Sequence, residues 1–191
     1  MPSPRKPDSD LVLAVLNGGE DGAAAGDEII HRHHESIYGF LFKMTGRRED
    51  AEDLTQETFL TALRKLHTFK IGRELRPWLF TIARRQAIAQ WRKSKPTSEL
   101  LEHDHPTTQS ETKHDAVALW DIAKAKLKRN EFMALWLHYQ EDLPVKEVAR
   151  VLRKTTPHLK VILHRARKNL GKQLSQTSDS WLPSQPINLT L

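Results

Sequence analysis

The sequence predicts an all-α chain: two small helical domains joined by a flexible acidic linker. Three observations carry this. Apolar residues recur at helical spacing, with almost no alternating β pattern. Composition changes abruptly over residues 94–114, which hold two prolines, many Ser and Thr, and few core-forming residues apart from Leu100 and Leu101. The 191 residues suffice for one ordinary domain or two small ones.

The elements follow in order. Residues 1–26 form an N-terminal extension with one short helix, 11–16, capped by Asp10 and stopped at Gly18-Gly19. The first domain spans 27–93. Its opening helix, 27–44, carries Ile30, His34, Ile37, Leu41 and Met44 on one stripe, and Thr45-Gly46 ends it. The next, 49–66, has Ala51, Leu54, Phe59, Ala62, Leu63 and Leu66 on its apolar face. A loop over 69–76 precedes Pro77, a residue favoured at a first helical position. The helix it opens runs to about 93, burying Trp78, Leu79, Ile82, Ala83 and Ile88.

After the linker, a second domain over 115–173 contains helices at 115–129 and 131–140, then the pair 143–152 and 157–173. Residues 174–191 read as a disordered polar tail. The last pair is a helix-turn-helix. Val145, Val148, Ala149 and Leu152 form one stripe; Leu159, Ile162 or Leu163, and Ala166 form the other. Ala149 is small enough for a close crossing, and Thr156 caps the second helix with Pro157 at its first position. At Arg153 the turn calls for the left-handed conformation that Gly usually supplies.

Charge points to the partner. Thirty Lys and Arg against 24 Asp and Glu give +6, unevenly placed. Between Pro144 and Lys172 stand nine basic residues and one acid; between Arg84 and Lys95, five basic residues and none. Residues 1–83 are near balance, 11 basic to 13 acidic. Two basic stretches in a balanced chain suit two contacts with a polyanion. On the second helix of the pair, early residues face base edges and later cations fall near phosphates, so the chain reads as DNA-binding.

Other chemistries find little support. The absence of cysteine excludes disulfides and thiolate sites. His31, His34 and Glu35 have helical ligand spacing, but no partner set completes a metal site. There is no phosphate-cradling Gly-rich loop, nucleophile triad or paired-carboxylate motif, so neither an enzyme nor a cofactor is expected. No apolar run is long enough to span a bilayer, and a cytoplasmic protein without membrane insertion is expected.

The string TGRREDAEDLTQETFLTALRKLHTF, followed by RPWLFTIARRQAIAQWRK, resembles region 2 of RNA polymerase sigma factors of the extracytoplasmic-function type. ALWLHYQEDLPVKEVARVLRKTTPHLKVILHRARKNL resembles their region 4. The resemblance implies a subunit that directs core RNA polymerase to promoters and assists their opening. It implies core-polymerase contact through Asp53, Leu54, Gln56 and Glu57. Asp53, Gln56 and Glu57 share one exposed helix face by spacing. The −10 promoter element would fall to Lys70, Arg73, Arg76, Arg84, Arg85, Gln86, Gln90, Arg92 and Lys93, with Trp78 and Trp91 kept for the core. The −35 element would fall to Lys154, Thr155, Thr156, His158, Lys160, His164, Arg165, Arg167 and Lys168. An anti-sigma factor is a further implied partner.

The chain departs from the family pattern at three places. Arg85 stands where Asn is frequent, Arg153 where Gly is usual, and Val161-Ile162 where a small polar residue and Arg are common. Two alternatives stay open at this point: a stand-alone helix-turn-helix regulator, and a sigma-derived interaction protein without promoter opening.

Overall fold

The computed structural model describes residues 6–94 and 115–177. The expected linker, apart from Ser94, and the tail beyond Thr177 lie outside the described residues. Among the described residues there is no strand, and the helices are eight: α1 (Asp8–Asn17), α2 (Gly19–Thr45), α3 (Arg48–Arg64), α4 (Leu75–Ser94), α5 (Asp115–Lys126), α6 (Arg129–Leu135), α7 (Val145–Leu152) and α8 (Thr156–Thr177).

The first four helices make one bundle around Ile29, Ile37, Phe40, Leu41, Leu79 and Phe80, all essentially buried. The short helix α1 is longer than expected and begins after Pro7, so Asp10 lies in its first turn rather than capping it. At Gly18 the backbone takes a positive φ, 77°, with ψ −166°, but α2 starts at the very next residue and not at 27. Packing explains the early start. The backbones of α1 and α2 approach so closely at Gly22 that an added Cβ would stand 3.0 Å from the Ala14 carbonyl. A glycine there lets helix continue against helix.

The buried stripe of α2 keeps Ile37 and Leu41 as expected, but Ile29, His33 and Phe40 complete it, while Ile30 and Met44 are half-buried and His34 is exposed. His33 is tolerated because its ring bonds Asp8 of α1, Nε2 to Oδ2 at 2.9 Å. Burial outweighs that carboxylate and lowers the His33 pKa below its ordinary value. In α3, Thr55 and Thr58 are buried as well, each hydroxyl donating to the carbonyl four residues back, at 2.6 and 2.7 Å. The helix α3 ends at Arg64, two residues short of the expected end, and a short 3-10 turn, Leu66–Thr68, follows it. Pro77 sits two residues inside α4, still within the turn whose N–H groups have no helical partner.

The second body packs Phe132, Met133, Leu137, Val148, Leu152, Leu159 and Ala166 together. Helix α6 is shorter than expected and runs into a π-helical turn, Trp136–Gln140. Glu141 N–H closes that turn on the Trp136 carbonyl at 3.1 Å, and Asp142 follows with φ 51°. Helices α7 and α8 form the expected helix-turn-helix. Arg153 takes the left-handed conformation, φ 54° and ψ 47°. Its N–H reaches the Arg150 carbonyl at 3.1 Å, and Lys154 N–H reaches Ala149 at 2.8 Å. This double bond pattern is a Schellman cap. The cap of α8 is displaced by one position: Thr155, not Thr156, accepts from His158 N–H through its hydroxyl, at 3.4 Å.

The two bodies are in contact. α4 packs on α7, and polar side chains bridge α2 and α4 to the turn before α7. No described helix is long and apolar enough to cross a membrane.

Candidate functional site

Three surfaces carry the residues singled out above. The first lies on α3. Asp53, Gln56 and Glu57 are exposed on one face, with Leu60 one turn further on and 53% exposed. A groove of about 440 Å3 runs beside them, walled by Ile30 and His34 of α2 and by Phe59 and Leu63. On the other flank a shallower hollow of about 330 Å3 is lined by Asp50, Asp53, Gln56, Glu57 and Leu60, with Gln90 arriving from α4. An acidic and amide rim around an exposed leucine suits a protein partner with basic and apolar side chains. Glu57 is steadied in place by the Thr61 hydroxyl and by Arg64, both at 3.1 Å. Leu54 differs from its three companions: at 8% exposure it belongs to the core and holds α3 down. Leu60 escapes a reading of the sequence because its i+4 spacing from Gln56 carries no chemical signature until the groove beside it is seen.

The second surface is the loop before α4 and the helix itself. Lys70, Arg73, Arg85 and Arg92 are exposed. Gln90, also exposed, shares the α3 hollow rather than joining the cations. Gln86 is half-buried and donates to the Thr61 hydroxyl at 3.2 Å, which ties α4 to α3. Lys93 has no described side chain. Trp78 is half-buried edge-to-face on Phe69, 5.5 Å between centroids, a packing role. The remaining two cations are not presented to solvent as expected. Arg84 is half-buried, and its Nε has no hydrogen-bond partner. Burial, then the nearby charges of Arg153 and Arg85, push its guanidinium below its ordinary value.

Arg76 is engaged by the second body. It donates to the Glu141 carbonyl at 2.8 Å and to the Glu141 carboxylate, and also to the Ser36 hydroxyl at 3.0 Å. Ser36 in turn donates to Glu141 at 2.9 Å, and Trp136 Nε1 to the other carboxylate oxygen at 3.0 Å. Glu141 is 4% exposed with both oxygens bonded. Two more links join the bodies: Lys43 to Asp121 at 2.7 Å, and Arg129 over the Trp91 ring, 3.6 Å from its centroid. The pairing of Glu141 with Arg76 spans 65 residues, so no sequence spacing could have revealed it.

The third surface is α8. His158, Lys160, His164, Arg165 and Lys168 are exposed, as are Lys154 and Thr155 in the turn; Thr156 is half-buried. Val161 stands among them, 46% exposed, whereas Ile162 turns into the core. Arg167 is half-buried and donates to the Tyr139 hydroxyl at 3.3 Å. No acidic residue occurs along α8. Its outward face therefore carries cations with no acid to offset them, the electrostatic condition for lying along a phosphate backbone.

Comparison with known proteins bears on the family and the fold. Residues 29–97 match the family model for sigma-70 region 2, and residues 123–170 match that for sigma-70 region 4. SigM of Bacillus subtilis strain 168, an ECF RNA polymerase sigma factor, is 30% identical over 154 residues, covering 75% of this chain and 91% of SigM. SigW of the same organism is 27% identical over 179 residues, covering 85% of this chain and 94% of SigW. Among solved structures, CnrH in complex with the cytosolic domain of CnrY superposes with a TM-score of 0.68 at 21% identity, covering 90% of this chain and 99% of that one. The sigma factor RpoE of Bartonella quintana, in complex with the anti-sigma factor NepR, gives a TM-score of 0.63 at 23% identity, over 78% of this chain and 96% of that one. Both likenesses concern the fold. By its two sigma-70 regions and its resemblance to SigM, the chain belongs to the ECF RNA polymerase sigma factors.

Proposed function

We propose that this sigma factor binds core polymerase through the α3 face of Asp53, Gln56, Glu57 and Leu60, and promoter DNA through two cationic surfaces. The observation that carries the reading is the placement of all three on one chain: an acidic and apolar groove on α3, exposed cations on α4 and its loop, and an acid-free α8. A stand-alone regulator would need the last of these and has no use for the first. In this reading Lys70, Arg73, Arg76, Arg85 and Arg92 meet the −10 element, and His158, Lys160, His164, Arg165 and Lys168 meet the −35 element. The protein does no bond chemistry itself; its contribution is binding energy and specificity. An anti-sigma factor is a fitting partner, since RpoE of Bartonella quintana, similar in fold, is bound by one.

Core binding tests the assignment. Asp53→Ala with Gln56→Ala should lower affinity for core polymerase and abolish promoter-specific run-off transcripts, while the helical circular dichroism stays unchanged. Leu54→Ala should instead destabilise the first domain by about 2–5 kcal/mol, as core leucine truncations do. Undiminished core affinity in the double variant would show that the docking face lies elsewhere.

A further inference from the structure

The contact between the two bodies uses a cation that the DNA reading also needs. Arg76 stands at the start of α4, beside the loop that carries Lys70 and Arg73. Its guanidinium is taken up by Glu141 and Ser36. A carboxylate offers Arg much the same planar pair of oxygens as a phosphate does. Glu141 matches such a pair with one carboxylate oxygen and its own main-chain carbonyl: the π turn and the left-handed Asp142 deliver both to Arg76, while Trp136 holds the other carboxylate oxygen.

The same packing covers more of the α4 surface. Arg84 lies half-buried with Arg153 of the helix-turn-helix among the charges that disfavour its own. Lys124 is likewise held below its ordinary value by burial and then by Lys43 across the contact. Like charges therefore face each other here, and the polar attraction comes from Glu141 with Arg76, Asp121 with Lys43, and Arg129 over the Trp91 ring.

Distance makes this arrangement incompatible with two promoter contacts. Elements centred on −35 and −10 are about 25 base pairs apart, roughly 85 Å at the rise of duplex DNA. A compact body of this size is only about 40 Å across. The 20 residues between Ser94 and Asp115 reach about 70 Å when extended, which allows the bodies to part.

We propose that Glu141 is an internal phosphate mimic: by occupying Arg76 it latches the helix-turn-helix domain onto the −10 surface, so that promoter DNA and Glu141 compete for the same guanidinium. The DNA half of this proposal rests on the function proposed above; the latch itself does not. A closed fraction of about 90% would lower apparent DNA affinity about tenfold.

The natural chain has no cysteine, so Glu20→Cys with Asn169→Cys gives two exposed label sites, one in each body. Spin-label distances in this full chain, without polymerase, should show one short distribution. Glu141→Gln and Arg76→Ala should each shift it to longer, broader distances. Affinity for a fluorescent 30-base-pair duplex of random sequence should rise about three- to tenfold in Glu141→Gln. It should rise less in Arg76→Ala, which opens the chain but removes the contested cation. Arg76→Ala leaves the bond of Trp136 to Glu141 in place, so it separates the latch from the folding of the second body. A shift in Glu141→Gln alone would assign Glu141 to the internal structure of its own domain and overturn the proposal. Unchanged distances in both variants would overturn it as well. Loss of core binding by the wild-type chain would instead refute the function proposed above and leave the latch intact.

Discussion

Replacing Arg153 by glycine isolates what the helix-turn-helix tolerates at its turn. Arg153 holds φ 54° and ψ 47° with an exposed side chain, and its conformation is imposed by the Schellman bonds from Arg153 and Lys154. A left-handed residue with a Cβ costs about 1–2 kcal/mol. Glycine removes that cost but adds freedom to the unfolded chain, which opposes it by about 0.4–1 kcal/mol. The net gain for Arg153→Gly is then about 0.5–1 kcal/mol. In a domain of this size that raises the melting temperature by roughly 2–8 °C. Arg153→Ala is the necessary control, because it removes the charge near Arg84 while keeping the backbone strain. Thermal unfolding of the three proteins, followed by circular dichroism at fixed salt, gives both differences. The glycine variant should melt above the alanine variant. If the two melt together, the turn stores no backbone strain and the Schellman assignment fails.

Two other outcomes are expected. His33 has its pKa lowered from 6.5 by burial, so the unfolded chain takes up a proton before the folded one does. Stability should be complete above about pH 6.5 and decline as pH falls below it, levelling once the lowered folded value is passed. His33→Gln should flatten this part of a urea-midpoint profile; an identical slope would mean that another group titrates there. On α8, Arg165→Ala with Lys168→Ala should weaken holoenzyme binding to promoter DNA and reduce the log–log salt slope by about 0.9 for each phosphate no longer neutralised. A slope equal to that of the wild type would show that neither cation neutralises a phosphate.

Much of the architecture is written in local chemistry. Helical periodicity and the basic clusters mark the helices and the polyanion-binding character, because each depends on residues within one or two turns of each other. The left-handed Arg153 is legible for the same reason: a tight turn between two apolar stripes leaves few backbone solutions. The exposed trio Asp53, Gln56 and Glu57 also follows from i, i+3 and i+4 spacing alone. Local rules place elements well and their ends less well. The start of α2 at Gly19 is hidden because Gly18-Gly19 looks like a break until the close approach of Gly22 to α1 is seen.

Only the tertiary structure decided which polar residues would be withdrawn from solvent. Local pattern offers no means of choosing His33 over His34, since the two differ by one step around the same helix and the choice depends on where Asp8 lies. Arg76 and Arg84 read as free cations for DNA, yet Arg76 is bonded by the opposite body and Arg84 is half-buried with its Nε unbonded. Glu141 is the clearest instance. In the string YQEDLP it is an ordinary surface acid, and it became a buried one because Arg76, Ser36 and Trp136 satisfy its oxygens. The physical reason is general. A charge leaves water only where partners from distant parts of the chain replace its hydration, and those partners have no fixed separation in sequence.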